Sequence, residues 1–315
     1  MGHRWYAPEI GRFLSPDPLY LLQPEKSEGD PAPLHLYTYV GNNPVNQVDP
    51  EGLSFWSVVG AIVGVIVGVV VAVAIVAAFA TGIGFGILAE VGLIGLVTVS
   101  YVVAHNNQGN GIGEFFRGFM IGLNAGLNGA FLTMMGGGLL GGVVGTLIFL
   151  SAFDSIANNE VYQGILGWSN WLMPMSWLVL GLGAVMWVLN GLGHLIFWSI
   201  PQLWGGGVQF FRITGFKMDW STGMLATRGG WVANLNNIDT AYNMGAFAYV
   251  DAKSSGWHLD HEAGHNLSLG AFGSIFHFVG FIHEMGTPAG ASALSEQMAE
   301  SNDPVGSGSS VPMWA

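Results

Sequence analysis

The chain begins polar and turn-rich, becomes almost wholly apolar between residues 55 and 199, and then returns to a mixed texture. Residues 55–80, FWSVVGAIVGVIVGVVVAVAIVAAFA, carry no charge and are long enough for one membrane-spanning helix of ~20 residues. A second run, GIGFGILAEVGLIGLVTVSYVVA at 82–104, has Glu90 as its lone charge. Further apolar runs cover 115–152, with MMGGGLLGGVVGTLIFL inside it, and 171–199. The pattern predicts two spans, with four as the upper count. HNNQGNGIGE, 105–114, is expected to turn between runs.

Within the first run Gly60, Gly64 and Gly68 recur at every fourth position, the small-residue stripe that lets apolar helices approach closely. Tryptophans near the ends of the last run suit an interfacial belt. Arg117 is the only Lys or Arg between 54 and 211, so the bias of basic loops that orients membrane proteins has nothing to act on. Glu90 is expected to pair with a partner, to line a pore, or simply to sit near a helix end.

From about residue 205 the pattern changes. VQFFRITGFKMDW, GMLATRGGWVA and MGAFAYVDA alternate aromatic and β-branched residues with glycine and polar turns, which predicts a short antiparallel meander. An apolar stretch to residue 282 follows, then a turn at GTPAGAS, a helix-like ALSEQMAES, and a polar tail from 303.

Composition narrows the function classes. Charged residues make up 9% of the chain and glycines number 49, unlike a single soluble globule. A net charge of −12 argues against a nucleic-acid partner, which needs a basic face. Cysteine is absent, so a metal would be held by His, Asp or Glu. MGHRWYAPEI has no apolar signal-peptide core, so the standard secretory route is not expected.

The sharpest chemical signal is GWHLDHEAGHNLSLG at 256–270. His261 and His265 are four apart, so on a helix they share a face and can aim two imidazoles at one ion. Glu262 lies between them, placed to take a proton from a water activated by that ion and deliver it to a leaving amine. Asp260 stands where the helix dipole favours an acid. A catalytic zinc needs a third protein ligand, and His277, His283, Glu284, Glu296 and Glu300 are the candidates downstream. The metzincin continuation is absent, since Ser268 and Ala271 replace its glycine and histidine.

Glu296 and Glu300 are spaced four apart on a predicted helix, and this resembles the Glu-x-x-x-Asp second helix of the gluzincin metallopeptidases. That resemblance implies Glu296 as the third zinc ligand and Glu300, in place of the usual Asp, as the carboxylate orienting a ligand histidine. Glu284 is the alternative ligand. In zincin folds a small sheet precedes the active helix and its edge strand binds substrate; MGAFAYVD is the candidate edge. Tyr249 and His258 are possible oxyanion partners, not included in the predicted site.

Residues 1–53 carry a second resemblance. RWYAPEIGRFLSPDP at 4–18, YTYVGNNP at 37–44 and DPEGL at 49–53 are similar to the end of the RHS (rearrangement hotspot) repeat core, the β-cage of polymorphic toxins. That family's cage cuts itself after the leucine of the last motif. The resemblance implies Asp17 and Asp49 as the aspartyl pair and Leu53–Ser54 as the scissile bond. Fifty such residues cannot bury much surface alone and should belong to a larger β structure.

The sequence thus predicts four parts: an RHS core fragment at 1–53, a glycine-rich helical membrane-inserting region at 54–204, an α+β zincin-like domain at 205–302, and a tail at 303–315. The expected function is that of a delivered toxin effector acting at a target-cell membrane by zinc-dependent peptide or other amide hydrolysis. A pore-forming toxin without enzymatic activity is the alternative. The expected partners are the rest of the cage and a secretion spike, a cognate immunity protein, membrane lipid and an unidentified protein substrate.

Overall fold

A computed structural model describes residues 6–7, 12–13, 55–108, 111–235, 241–254, 256–286 and 293–300. The chain divides into two compact units, Met1–Phe55 and Trp56–Ala315. In the first, β1 (Tyr6–Ala7) pairs antiparallel with β2 (Arg12–Phe13), with Tyr6 opposite Phe13. The expected cleavage residues Asp17, Asp49 and Leu53 lie outside the described residues.

The second unit starts with four helices: α1 (Phe55–Thr81), α2 (Ile83–Asn106), α3 (Gly111–Met134) and α4 (Gly138–Leu150). Helices α1 and α3 run in the same direction and touch backbone to backbone. A Cβ built on Gly60 would lie 2.0 Å from the carbonyl oxygen of Phe115, and one on Gly64 2.2 Å from that of Phe119. The facing helix answers with its own glycines: a Cβ on Gly118 would be 1.8 Å from the Ser57 oxygen, and one on Gly122 1.9 Å from the Ala61 oxygen. Two stripes, Gly60/Gly64/Gly68 and Gly118/Gly122/Gly126, therefore mesh, and no side chain fits between them.

Among the described residues, three helices are long and apolar enough to cross a membrane: Trp56–Thr81, Gly86–Asn106 and Pro174–Gln202. That is one more than the two expected and within the upper count of four. The 115–152 run divides into α3 and the short α4, and α3 is enclosed, every residue from Arg117 to Asn128 being buried. Arg117 pairs with Glu114 at 2.9 Å, one turn earlier on α3. The outer faces of the three long helices leave large apolar side chains uncovered, among them Ile66, Val70, Leu88, Val91, Leu178 and Val185. Glu90 lies on the exposed side of α2, near the Gly86 end of its span. Uncovered aliphatic faces of this extent are what a hydrocarbon solvent stabilises and water does not.

Helix α5 (Glu160–Ser169) is capped by Asn159, whose Oδ1 accepts from the backbone of Val161 and Tyr162. Helix α6 (Trp177–His194), extended by a wide turn to Gln202, then crosses one face of a four-stranded sheet. The strands are β3 (Ile213–Asp219), β4 (Met224–Gly229), β5 (Ala241–Met244) and β6 (Phe247–Val250), in the order β3-β4-β6-β5. Because strand side chains alternate, Phe247 and Tyr249 face α6, while Met224, Ala226 and Ala248 cluster with Ala263 of the next helix.

The expected antiparallel meander is only partly found: β4 and β6 are parallel. A parallel neighbour needs a crossover, and the turn of helix Trp231–Asn234 with β5 supplies it. Consequently the MGAFAYVD segment forms an interior strand, β6, and the edge beside it is β5.

Helix α7 (Leu259–Gly286) is broken at Gly273, whose φ of 82° only glycine adopts readily. Its halves fold back on each other. The rings of His265 and His277 are 6.3 Å apart, whereas twelve residues of straight helix span ~18 Å. Asn124 of α3 stabilises the reversal by donating to the carbonyl of Gly270 at 3.0 Å, one of the acceptors the break releases. Helix α8 (Leu294–Glu300) packs against both halves: Gly264 lies against Ala299, and Gly280 against Ser295.

Candidate metal centre

The two imidazoles come from the first turns of α7 and the carboxylate from α8. Nε2 of His261 is 3.1 Å from Oε1 of Glu296, and Nε2 of His265 is 3.3 Å from its Oε2. Among the described residues His261, His265 and Glu296 form a group that could hold a metal ion, their ligand atoms all lying within 4.8 Å of one another. Ligand atoms ~2.0–2.1 Å from a tetrahedral zinc are separated by about 3.3 Å, so both nitrogen–oxygen distances suit such an ion. All three side chains are partly exposed, which leaves an approach for water or substrate.

The charges agree with that donor set. Burial would raise the Glu296 carboxyl, but hydrogen bonds with His261 and His265, reinforced by their charge, outweigh it and hold the group well below the usual carboxylate range. The carboxylate is therefore ionised at neutral pH. Gly264 lets α8 approach, since a Cβ there would meet the Cα of Ala299 at 2.6 Å.

Glu262 is 2% exposed, on the same turn as His261. Its backbone carbonyl accepts from Asn243 Nδ2 at 3.1 Å, which fastens this turn to edge strand β5. Asn243 was not singled out in the sequence, and nothing in its local pattern marks it; only the sheet order brings it to the helix.

The other candidate ligands are placed elsewhere. His277 stands behind His265, and burial, then the neighbouring His265, pushes its imidazole down to about 3, against a weaker opposing backbone bond at Asn243. His283 contacts Tyr101, its Nδ1 3.1 Å from the hydroxyl. Glu284 is outside the ligand group. Glu300 ends α8, and its side chain lies outside the described residues. Tyr249 gives its hydroxyl proton to the Gly183 carbonyl on the α6 side of the sheet, away from the centre. His258 precedes α7 with a φ of 50° and meets the Ser254 hydroxyl at 2.9 Å.

Comparison with known proteins adds one local likeness. Over 58 residues the chain is 47% identical to the tRNA(Glu)-specific nuclease WapA of Bacillus subtilis subsp. natto (strain BEST195). The match covers 18% of this chain and 2% of that protein. No protein-family model matches, and no solved structure matches.

Proposed function

We propose that the chain is the effector end of a polymorphic toxin, and that it inserts into a target-cell membrane and hydrolyses peptide or other amide bonds at a zinc centre held by His261, His265 and Glu296. The observation that carries this reading is the convergence of two imidazole nitrogens on the two oxygens of one carboxylate, with Glu262 on the ligand-bearing turn. Bound zinc would supply Lewis-acid activation of water and of the scissile carbonyl. Glu262 would accept the proton of the attacking water and pass it to the departing nitrogen as the C–O bond forms and the C–N bond breaks. Glu300 would orient a ligand histidine.

The three apolar helices support the membrane part, and the likeness to WapA supports delivery as a toxin. The remaining cage, a secretion spike and a cognate immunity protein are the partners this reading implies. Self-cleavage after Leu53 through Asp17 and Asp49 belongs to the same proposal.

The likeness to a tRNA nuclease favours a second reading, in which the same centre cleaves a phosphodiester. A net charge of −12 weighs against it, because polyanions are drawn to basic surfaces.

The test uses the full chain in detergent, with zinc measured by elemental analysis and with a mixed peptide library and total RNA as substrates. Peptide cleavage is expected from the wild type, with a loss of about 10³-fold in Glu262→Gln while zinc is retained. RNA cleavage that depends on Glu262 would favour the nuclease. Toxicity and membrane depolarisation undiminished in Glu262→Gln would leave the pore reading.

A further inference from the structure

Tyr101 lies within the apolar span Gly86–Asn106 and is 1% exposed. Its ring meets the returning half of α7 edge-on, 5.3 Å from Phe276 and 5.7 Å from His283 between centroids. The proposed hydrolysis does not use its hydroxyl, yet that hydroxyl is fully engaged. It accepts from the backbone N–H of Leu294, the first residue of α8, at 3.0 Å. It also lies 3.1 Å from Nδ1 of His283. A phenol has one proton to give, so with Leu294 donating to it, the proton is free to go to His283.

A second link runs in parallel. Gln108, just beyond α2, donates from Nε2 to Oε1 of Gln297 at 2.7 Å. The two bonds reach α8 on either side of Glu296, at 294 and at 297. Helix α8 has seven residues, too few to hold a helical axis by itself. Its direction is therefore set by what grips it, and the grip comes from α2 and from the halves of α7.

We propose that Tyr101 is a positioning residue for the metal centre, its hydroxyl holding α8 so that Glu296 faces His261 and His265. This rests on the metal reading above and extends it. An apolar span reaches the centre through one hydroxyl, and displacing α2 displaces the third ligand. Gln108 is the auxiliary tether, acting on the neighbouring residue.

The test uses the full chain in detergent, with cobalt(II) as the probe ion. Tyr101→Phe keeps the ring against Phe276 and His283 and removes only the hydroxyl. Expected are cobalt affinity about tenfold weaker, an altered visible absorption band, and faster amide exchange across 294–300 in metal-free protein, with a modestly lowered thermal midpoint because the buried N–H of Leu294 loses its acceptor. Gln108→Ala, at a less buried position, should weaken cobalt binding about fivefold and carries the test if Tyr101→Phe fails to fold. If the wild type binds cobalt and both variants match its affinity and spectrum, the positioning role is overturned and the metal reading stands. If the wild type binds no cobalt, the metal reading falls and the positioning role with it.

Discussion

The α1–α3 seam and the turn within α7 at Gly273 solve the same problem, bringing two backbones close, in opposite ways. At the seam each of these close approaches has a glycine on one side, and the carbonyls of Ser57, Ala61, Phe115 and Phe119 occupy the places that side chains would take. At the turn the backbone is broken at Gly273, and a polar side chain from another element takes up a released group, Asn124 on Gly270; one turn earlier Asn170 donates to the carbonyl of Asn266 at 2.8 Å. Asn128 holds Asn124 in turn, Nδ2 to Oδ1 at 2.9 Å. A seam built by deleting side chains tolerates no addition. A turn built by adding polar ones tolerates no deletion.

The largest effect is expected from breaking the seam. Gly122→Val puts a branched side chain where the Ala61 carbonyl stands, and neither helix can yield without moving its backbone. A loss of about 3 kcal/mol is expected, seen as a lowered midpoint in detergent-titrated unfolding. A midpoint equal to wild type would mean that α1 and α3 do not meet along this line.

The turn has its own test. Asn124→Leu removes the donor to Gly270 and leaves a buried carbonyl unsatisfied, at a cost of about 2 kcal/mol. Cobalt binding should weaken as well, since the first half of α7 carries both histidines; Gly122→Val in chains that remain folded should spare it. Equal effects of the two variants on metal binding would erase the distinction between the regions.

Proton linkage sharpens the contrast further, because His277 is buried on the turn side. His277 is neutral in the folded chain down to about 3, whereas the unfolded chain protonates it near 6.5. Its folded value is lowered, so its contribution is complete above pH 6.5 and is lost as pH falls from 6.5 towards 3. Metal-free protein should be less stable at pH 5.5 than at pH 8 by between about 1 and 2 kcal/mol from this group. His277→Phe should flatten that part of the profile; an unchanged slope would assign it elsewhere.

The smallest effect serves as the reference. Asn159→Ala removes the cap of α5, remote from both regions, and should cost about 1 kcal/mol without altering cobalt affinity or pH dependence.

Much of this was legible in order along the chain. The long apolar runs, one glycine stripe, and the pair His261 and His265 with Glu262 between them all rest on spacing within one helix. Glu296 was expected from the Glu-x-x-x-Glu spacing, and the structure brings its carboxylate to within 3.3 Å of both histidines. The second glycine stripe at 118–126 lay in plain view but reads as composition until a facing helix is known. The parallel pairing of β4 with β6 and the interior position of MGAFAYVD were not legible, because alternation marks a strand and says nothing of its neighbours.

Local periodicity, then, determined which segments are helical, which are apolar enough for a bilayer, and which side chains share a turn, since each depends on residues three or four apart. Tertiary structure alone decided that α3 is enclosed while α1 is not, that α7 doubles back at Gly273, and that a tyrosine of α2 grips the helix bearing Glu296. Those depend on contacts between residues far apart in sequence, Leu294 with Tyr101 and Gly270 with Asn124, whose partners are chosen by packing rather than by spacing.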